Sequence, residues 1–321
     1  MFDTTNFPNA KKVWFMGEFQ DWSDSKVHSM SHALHYGTGV FEGIRAYATP
    51  KGPAVFKLEE HIARLLHSAG VIQMKVPYSK EEIMHACLAT VQANELDSAY
   101  IRPLMYYGYG NLGLVPKTSP VELLIGAWEW GAYLGEKAVN GVSVYILPWR
   151  RVHHSQYDMA AKLGGIYVQS MFCGVIARQK GFDEAIFLNL EGNIAEGPGE
   201  NILIVKDGVL KTNDMSESVL EGITRTTVLE IAQDLGIPTK IEPISMDDLC
   251  QADEIMFSGT AVELVPIIQI TDGSNPSAGD RACTVGAGEA GPITKQLREV
   301  YMETVAGNRP EYENWLTYVN S

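Results

Sequence analysis

Cysteine is scarce in this sequence. The 321 residues contain four cysteines, Cys87, Cys173, Cys250 and Cys283, which lie far apart and form no Cys-x-x-Cys pair. A disulfide framework or a cysteine-based zinc site depends on closely and regularly spaced cysteines. The pattern excludes both and predicts four reduced, buried thiols.

Long apolar runs and an excess of positive charge are also missing. No run approaches the roughly 18 apolar residues that span a membrane, and Glu122 and Glu129 interrupt the candidate at 121–130. The first 12 residues are polar and lack the apolar core of a secretion signal. The formal net charge of −14 disfavours nucleic acid and anionic membranes as partners. We therefore expect a cytoplasmic protein whose partners are small molecules.

The composition and the periodicity indicate two mixed domains. Hydrophobic residues make up 45% of the chain and charged residues 20%, which is typical of a globular protein with a full core. Apolar strands alternate with helices, among them an amphipathic helix from Leu58 to Gly70 with Leu58, Ile62, Leu65 and Leu66 on one face. The glycine-containing stretch 131–137 interrupts this pattern. We expect a smaller α/β domain at 1–130, a loop at 131–140 and a larger domain at 141–321.

Two Gly-x-Gly-x-x-Gly matches suggest a dinucleotide site. The first, at 108–113, follows a strand, but Pro116 and Pro120 come after it and prevent a helix. The second, at 286–291, precedes a helix, but 280–284 does not have the pattern of a strand. Each match lacks half of the strand–turn–helix context that the motif requires, so we disfavour a dinucleotide site.

Three histidines raise the question of a metal site. His28, His32 and His35 share one face if their segment is helical. However, no carboxylate or cysteine lies near them at a ligand spacing. Structural or surface histidines are the favoured interpretation, and no metal is expected.

Lys162 is flanked by small and apolar residues, in Met159-Ala160-Ala161-Lys162-Leu163-Gly164-Gly165. Small neighbours let a flat ligand approach the backbone. An amine with little water around it is a nucleophile toward carbonyl compounds, including pyridoxal phosphate. Because most lysines are solvated surface residues, this segment alone is a weak indication.

Three segments that follow Lys162 supply other groups that such a cofactor needs. Glu196 lies among glycines, 34 residues after the lysine. Gly222-Ile223-Thr224-Arg225 begins a helix whose N–H groups and hydroxyl could hold a phosphate. Ser258-Gly259-Thr260-Ala261 follows a strand and offers a second set of N–H and hydroxyl donors. Each segment alone is more often a turn or a helix cap, but together they predict a pyridoxal-phosphate enzyme.

The chain resembles the branched-chain-amino-acid aminotransferases, which have the class IV pyridoxal-phosphate fold. The resemblance runs from about Val13 to the C-terminus, and its motifs occur in the family's order. They are His35-Tyr36-Gly37-Thr38-Gly39-Val40-Phe41-Glu42-Gly43-Ile44-Arg45-Ala46-Tyr47, Tyr100-Ile101-Arg102-Pro103-Leu104 and Trp130-Gly131-Ala132-Tyr133-Leu134-Gly135, followed by the segments around Lys162, Glu196, Thr224 and Thr260. The implied fold is α/β of the α+β type: two domains, each a sheet with flanking helices, joined by a short interdomain loop, with the Schiff-base lysine in the larger C-terminal domain.

The resemblance implies a role for each matched residue. Lys162 would be the Schiff-base lysine and proton shuttle, Glu196 the partner of the pyridine nitrogen, and Tyr167 the partner of the ring's phenolic oxygen. The phosphate would be bound by Arg64, Ile223, Thr224 and Thr260. The substrate positions would be Tyr36, Phe41, Gly43, Trp130 and Tyr133, with Tyr100 and the backbone at Thr260 and Ala261 for the α-carboxylate and Arg102 for the distal carboxylate of glutamate.

The implied activity is reversible ping-pong amino transfer between leucine, isoleucine or valine and 2-oxoglutarate. The resemblance also implies at least a homodimer, in which the loop 109–114 reaches a neighbour's pocket. Four alternatives stay open: a D-amino-acid aminotransferase or an aminodeoxychorismate lyase of the same fold, a dinucleotide-dependent oxidoreductase, and a catalytically silent ligand-binding protein. The preference among the three substrates and a biosynthetic or degradative role also stay open.

Two features depart from the family pattern. Ile166 stands where family members often carry asparagine, which leaves the hydrogen bonding near Lys162 in doubt. The stretch 272–291 is longer than usual, and we interpret it as a surface loop.

Overall fold

The computed structural model describes residues 7–131 and 137–320 of the chain. The chain forms two compact units, the first from Met1–Gly131, Ala160–Gly165 and Glu303–Ser321, and the second from Ala132–Met159 and Ile166–Met302. Lys162 packs with the first unit, whereas the sequence led us to expect it in the C-terminal domain. The reason is that its main chain is hydrogen-bonded to Phe41 and Ser68.

The secondary structure mixes strands and helices throughout. The strands are β1 (Lys12–Phe15), β2 (Glu18–Asp21), β3 (Gly39–Phe41), β4 (Ile44–Tyr47), β5 (Ala54–Phe56), β6 (Ala99–Tyr107), β7 (Val121–Trp128), β8 (Val142–Arg150), β9 (Glu184–Leu188), β10 (Asn201–Lys206), β11 (Val209–Thr212), β12 (Thr239–Ile241), β13 (Glu254–Gly259), β14 (Glu263–Asp272), β15 (Arg281–Thr284) and β16 (Leu316–Tyr318). The α-helices are α1 (His32–Tyr36), α2 (Leu58–Val71), α3 (Lys80–Ala93), α4 (Lys137–Asn140), α5 (Tyr167–Gln179), α6 (Ile223–Asp234), α7 (Met246–Cys250) and α8 (Pro292–Val305). Short 3-10 helices lie at Trp22–Asp24, Gly164–Ile166, Met215–Glu217 and Pro310–Trp315. No helix in the part of the chain that the structure describes is long and apolar enough to cross a membrane.

The first unit is built on an antiparallel sheet in the order β16-β5-β4-β6-β7-β1-β2, with β3 paired to β6. Helix α2 confirms the predicted amphipathic helix, because Leu58, Ile62 and Leu65 are at most 1% exposed. Burial of each such side chain stabilises the fold by about 1.5–3 kcal/mol. Polar residues of α2 that point inward must in turn have partners, since an isolated buried polar group is costly.

The second unit contains a mixed sheet in the order β12-β11-β10-β13-β14-β8-β9, with β15 paired to β14. Strands β14, β8 and β9 are parallel to one another, and every residue of β9 is buried. Full burial is expected for parallel strands, which are usually covered on both faces. Each unit is thus a sheet with helices, and the predicted α/β fold class is confirmed.

The second Gly-x-Gly-x-x-Gly match has a different context from the one we expected. Strand β15 precedes it, so the expectation that 280–284 is not a strand is wrong, and 272–291 is in part a hairpin rather than a loop. The backbone N–H groups of Ile293 and Thr294 at the start of α8 donate to the Glu254 carboxylate at 3.0 and 2.7 Å. An acid therefore occupies the place that a pyrophosphate would need. The first match lies in the connection from β6 to β7, without a helix among its described residues, as predicted.

The three histidines have separate environments. His32 is buried, with Nδ1 2.8 Å from the Thr38 hydroxyl and Nε2 3.0 Å from the Gly113 carbonyl. The His35 ring bonds to the Ser29 carbonyl, and the His28 ring lies 4.1 Å from the Tyr109 ring. These contacts are those of structural and surface histidines.

The cysteines are all free, but not all are buried. Cys87 and Cys173 are buried as predicted, whereas Cys250 is exposed and Cys283 is half-buried. The sulfurs of Cys250 and Cys283 lie 3.3 Å apart, because α7 ends beside β15. The expectation of four buried thiols is therefore wrong for this pair, which the tertiary fold brings together across 33 residues of sequence.

Candidate active site

The two glycines after Lys162 pack the lysine segment against a second backbone. A Cβ on Gly164 would lie 3.2 Å from the Gly39 carbonyl oxygen, and one on Gly165 would lie 3.2 Å from that of Gly37. Gly37 ends α1 in the left-handed region, and a Cβ there would lie 2.9 Å from Gly165 Cα. We had attributed these small residues to the approach of a flat ligand. The structure gives backbone-to-backbone packing as their reason.

The main chain of Lys162 is held on both sides. Its N–H donates to the Ser68 hydroxyl at 2.8 Å, and its carbonyl accepts from the Phe41 N–H at 3.3 Å. The side chain is half-buried, and Nζ lies 5.1 Å from the centre of the Phe41 ring. The amine is thus carried on a fixed stretch of backbone beside an aromatic face.

Five residues predicted for the substrate pocket form one cluster around this aromatic face. The Arg102 guanidinium lies 4.7 Å from the Phe41 ring and donates to the Tyr100 hydroxyl at 2.8 Å. The Tyr100 ring lies 4.4 Å from the Trp130 ring in an edge-to-face arrangement. A Cβ on Gly43 would lie 2.0 Å from the Tyr100 hydroxyl oxygen, so glycine is required there. The first unit therefore brings an amine, a guanidinium and an aromatic wall together.

Tyr36 lies with the loop 109–114, where its hydroxyl donates to the Leu112 carbonyl at 3.0 Å. It is 45% exposed, and its ring contacts are with His32 and His35. The structure does not bring it to the Phe41 cluster through these contacts. Tyr133, the other predicted aromatic, lies outside the described residues.

Arg64 belongs to a buried charged cluster that the sequence did not reveal. Its Nε and Nη2 donate to the two carboxylate oxygens of Glu42 at 2.6 and 2.9 Å. Nδ1 of His61 lies 2.7 Å from Oε2 of the same carboxylate. Burial by itself raises the pKa of Glu42, but the Arg64 charge and the hydrogen bonds from His61 and Arg64 hold that pKa well below its usual range. Glu42 is therefore ionised, and His61 must donate from Nδ1 because a carboxylate only accepts.

Glu196, in the second unit, is 5% exposed and paired with Arg151, which is 4% exposed. Nε and Nη2 of Arg151 lie 2.9 and 2.8 Å from Oε1 of Glu196. Oε2 accepts the Leu220 N–H at 3.0 Å. Burial raises the pKa of Tyr157 to about 12, and Arg151, Glu196 and Tyr167 also act on it electrostatically. Tyr167 therefore lies in the same charged neighbourhood as Glu196.

Asn201 joins the three segments that we predicted to bind phosphate and ring nitrogen. Its Nδ2 donates to the Leu220 carbonyl at 2.7 Å, and its backbone pairs with Ser258 on β13. A Cβ on Gly222, at the start of α6, would lie 2.1 Å from its Oδ1, and one on Gly259 would lie 3.2 Å from the Gly199 carbonyl oxygen. Glycine is thus required at both places where these segments meet.

The groups at this junction suit a phosphate. Helix α6 begins at Ile223 without a side-chain cap, so its first N–H groups and the Thr224 hydroxyl can face an anion. Oγ of Ser258 is buried and has no hydrogen-bond partner among the described residues. Thr260 and Ala261 form the half-buried turn from β13 to β14. With the Lys162 amine and the Arg64 guanidinium, the chain has the donors that a phosphorylated aldehyde needs.

Ile166 occupies the N-cap position of α5 and provides no side-chain hydrogen bond there. Asparagine is among the preferred N-cap residues because its side chain accepts from the first turn. The departure from the family pattern therefore removes a capping group, and leaves the backbone of the lysine segment in place.

Residues 39–270 match the family described as amino-transferase class IV. The chain belongs to the class IV aminotransferase family. It is 42% identical to the branched-chain-amino-acid aminotransferase of Pseudomonas aeruginosa, over 96% of this chain and 97% of that protein. The solved branched-chain aminotransferase of Escherichia coli is 41% identical with a TM-score of 0.91, covering 97% of this chain and 100% of that one. The predicted resemblance to branched-chain-amino-acid aminotransferases is confirmed, and the chain is an enzyme of this type.

A second branched-chain aminotransferase, from the source abbreviated T.th., has been solved in several bound states that are similar to this chain. The structure with pyridoxamine 5'-phosphate is 44% identical with a TM-score of 0.90, over 97% of this chain and 99% of that one. The same protein has been solved with 4-methylvaleric acid (42%, TM-score 0.89) and with N-(5'-phosphopyridoxyl)-L-glutamate (43%, TM-score 0.90), each covering 98% and 100% of the two chains. The family depends on pyridoxal phosphate, which confirms the predicted cofactor.

The sequence analysis missed five residues of the candidate site: Glu42, His61, Ser68, Arg151 and Asn201. One indication was available, because His61, Arg64 and Ser68 recur at helical spacing on a buried face of α2. Polar residues on a buried face require partners, and Glu42 lies inside the motif at 35–47. For Arg151, its position in sequence offered no comparable indication.

Proposed function

We propose that this enzyme transfers the amino group reversibly between leucine, isoleucine or valine and 2-oxoglutarate, by ping-pong kinetics. The cluster of Phe41, Tyr100 and Arg102 beside Lys162 carries the proposal. It combines an aromatic surface for a branched apolar side chain with a guanidinium for a second carboxylate. The T.th. relative supports both halves, since it has been solved with 4-methylvaleric acid and with a phosphopyridoxyl derivative of L-glutamate.

We assign the residue roles in each unit as follows. In the first unit, Lys162 is the Schiff-base lysine and proton shuttle, and Arg64 binds the phosphate. In the second unit, Glu196 faces the ring nitrogen and Tyr167 the phenolic oxygen, while Ile223, Thr224 and Thr260 bind the phosphate. The substrate residues are Tyr36, Phe41, Gly43, Tyr100, Arg102, Trp130, Tyr133, Thr260 and Ala261.

Bound pyridoxal phosphate supplies the electron sink for removal of the Cα proton. The Lys162 amine takes that proton as a general base and returns it as a general acid. Its main chain is fixed through Ser68 and Phe41, so only the side chain has to move. Arg151 favours the ionised form of Glu196, because opposite charges stabilise each other in a buried place. Tyr100 accepts from Arg102, which leaves its own O–H to donate to the substrate α-carboxylate.

The test is a substrate panel on the wild-type enzyme and an Arg102→Leu variant. We expect the variant to lose about a hundredfold in kcat/KM with glutamate, the cost of a lost charge-assisted bond. With leucine we expect less than about a threefold change, because a similar apolar surface remains. Arg281→Leu, an exposed arginine on β15, is the matched control and should behave like the wild type.

Equal losses with glutamate and leucine would contradict the role of Arg102. Activity on D-alanine without activity on L-leucine would instead identify a D-amino-acid aminotransferase. A colourless protein whose spectrum is unaffected by borohydride would favour a dinucleotide-dependent or silent protein.

We further propose that the enzyme is a homodimer or a higher homo-oligomer. Leu114 and Val115, beside the loop 109–114, are 77% and 63% exposed. Val168 and Met171, on one face of α5, are 65% and 61% exposed. Contiguous apolar surface of this kind marks an interaction site more often than free surface. Sedimentation of the active enzyme should give at least a dimer, and an active monomer would overturn the proposal. The cytoplasmic location stays a prediction.

A further inference from the structure

Glu42 lies where a negative charge has no value for attracting an anion. It is fully buried, and both of its oxygens are bound by Arg64, the proposed phosphate ligand. Its charge offsets that of the guanidinium, which weakens the long-range attraction for a phosphate. What the carboxylate adds is geometry, because two parallel N–H···O bonds orient a guanidinium plane.

The carboxylate itself is held on two further sides. The Glu42 N–H donates to the Pro103 carbonyl at 3.0 Å, which ties its backbone to β6. Oε2 also receives the His61 Nδ1 hydrogen bond at 2.7 Å. Burial lowers the pKa of His61 and the nearby charges of Arg64 and Lys162 act in the same direction, against the effect of Glu42. His61 is thus a neutral donor that fixes Glu42 without adding a positive charge.

Helix α2 connects this cluster to the lysine. His61, Arg64 and Ser68 lie three and seven residues apart and share one face. The Ser68 hydroxyl donates to the Arg64 carbonyl at 2.8 Å and accepts from the Lys162 N–H at 2.8 Å. The turn of helix that carries the guanidinium is therefore hydrogen-bonded to the main chain that carries the reactive amine.

We propose that Glu42 is a positioning residue for the cofactor's phosphate, which holds the Arg64 guanidinium in one orientation relative to the main chain of Lys162. The inference rests on the proposed role of Arg64 and extends it to a residue that touches neither cofactor nor substrate. Its consequence is specific: Glu42 contributes to the part of cofactor binding that depends on the phosphate, and to no other part.

The experiment compares two ligands on the apoprotein. Pyridoxal phosphate and pyridoxal, which lacks the phosphate, are each titrated while the absorbance of the bound aldehyde is followed. The ratio of the two dissociation constants measures the contribution of the phosphate. In Glu42→Gln we expect pyridoxal phosphate to bind about tenfold to a hundredfold more weakly, the cost of one charge-assisted hydrogen bond, and pyridoxal to bind as before.

Two controls separate positioning from general stability. Glu254→Gln removes another buried carboxylate, the one that caps α8, and should leave the ratio unchanged. In an Arg64→Met background, Glu42→Gln should cause no further loss of the ratio, because a residue that acts through Arg64 has no effect without it.

Glu42→Asp covers the case in which the glutamine variant does not fold. The aspartate keeps the charge that Arg64 needs, but it is one methylene too short to bind Arg64 and His61 together from the same backbone position. We expect the same reduced ratio. An unchanged ratio in the folded variants, or equal losses for both ligands, overturns the inference while the proposed function stands. A wild-type apoprotein that binds both ligands equally well overturns the proposed phosphate site and the inference with it.

Discussion

Replacement of Lys162 by alanine should abolish transamination and leave the first unit folded. The side chain supplies the amine for cofactor attachment and proton transfer, so we expect turnover to fall by at least about 10⁴-fold. The hydrogen bonds that anchor this segment, to Ser68 and from Phe41, use the main chain and survive in alanine. Steady-state turnover with leucine and 2-oxoglutarate measures the loss, and circular dichroism measures the fold.

The attachment point can be read separately from the rate. Borohydride treatment of the wild-type enzyme should add the cofactor's mass to the peptide that contains Lys162. The Lys162→Ala protein should acquire no such label, while Lys240→Ala, at an exposed lysine on β12, should retain both label and turnover. Appreciable turnover in Lys162→Ala would refute the assigned role.

The second large effect concerns the buried pair of Arg151 and Glu196. Arg151→Met leaves an ionised carboxylate in a buried place without its partner, which costs about 3–5 kcal/mol of stability. In the double variant Arg151→Met/Glu196→Gln neither charge remains, and most of that stability should return. Thermal or urea unfolding of the apoproteins measures both changes.

Activity should not return with stability in that double variant. Glu196→Gln removes the carboxylate proposed to face the ring nitrogen, and we expect kcat to fall at least about a hundredfold in any background that contains it, as for loss of a preorganised electrostatic group. The matched control is Glu254→Gln, which also removes a buried carboxylate. A double variant with near-wild-type kcat would show that the pair serves the fold alone.

Local patterns were sufficient for the elements and for much of the site. The spacing of Leu58, Ile62 and Leu65 predicted the buried face of α2, since helical periodicity is a property of adjacent turns. The residue types at Lys162, Glu196, Thr224 and Thr260 indicated the cofactor, because few ligands need an amine, a carboxylate and phosphate donors together. The predicted α/β class followed from the alternation of the two periodicities.

Strand assignment was less reliable where side chains are exposed. Strand β15 has no fully buried residue, so it lacks the alternation that a half-buried strand shows, and it was missed. The same hairpin brings Cys283 beside Cys250, which contradicted the expectation of four buried thiols. In both cases the deciding contacts come from distant parts of the chain.

The sequence by itself determined which chemical groups this enzyme has and the order in which they occur. Only the tertiary structure decided how the buried charges are matched: Glu42 with Arg64 and His61, and Arg151 with Glu196. These partners lie 22, 19 and 45 residues apart, and strand register and helix packing bring them together. The structure also decided that the glycines after Lys162 serve backbone packing. The physical reason is that periodicity reports burial of a side chain, whereas a charge–charge pairing depends on distances that no local pattern encodes.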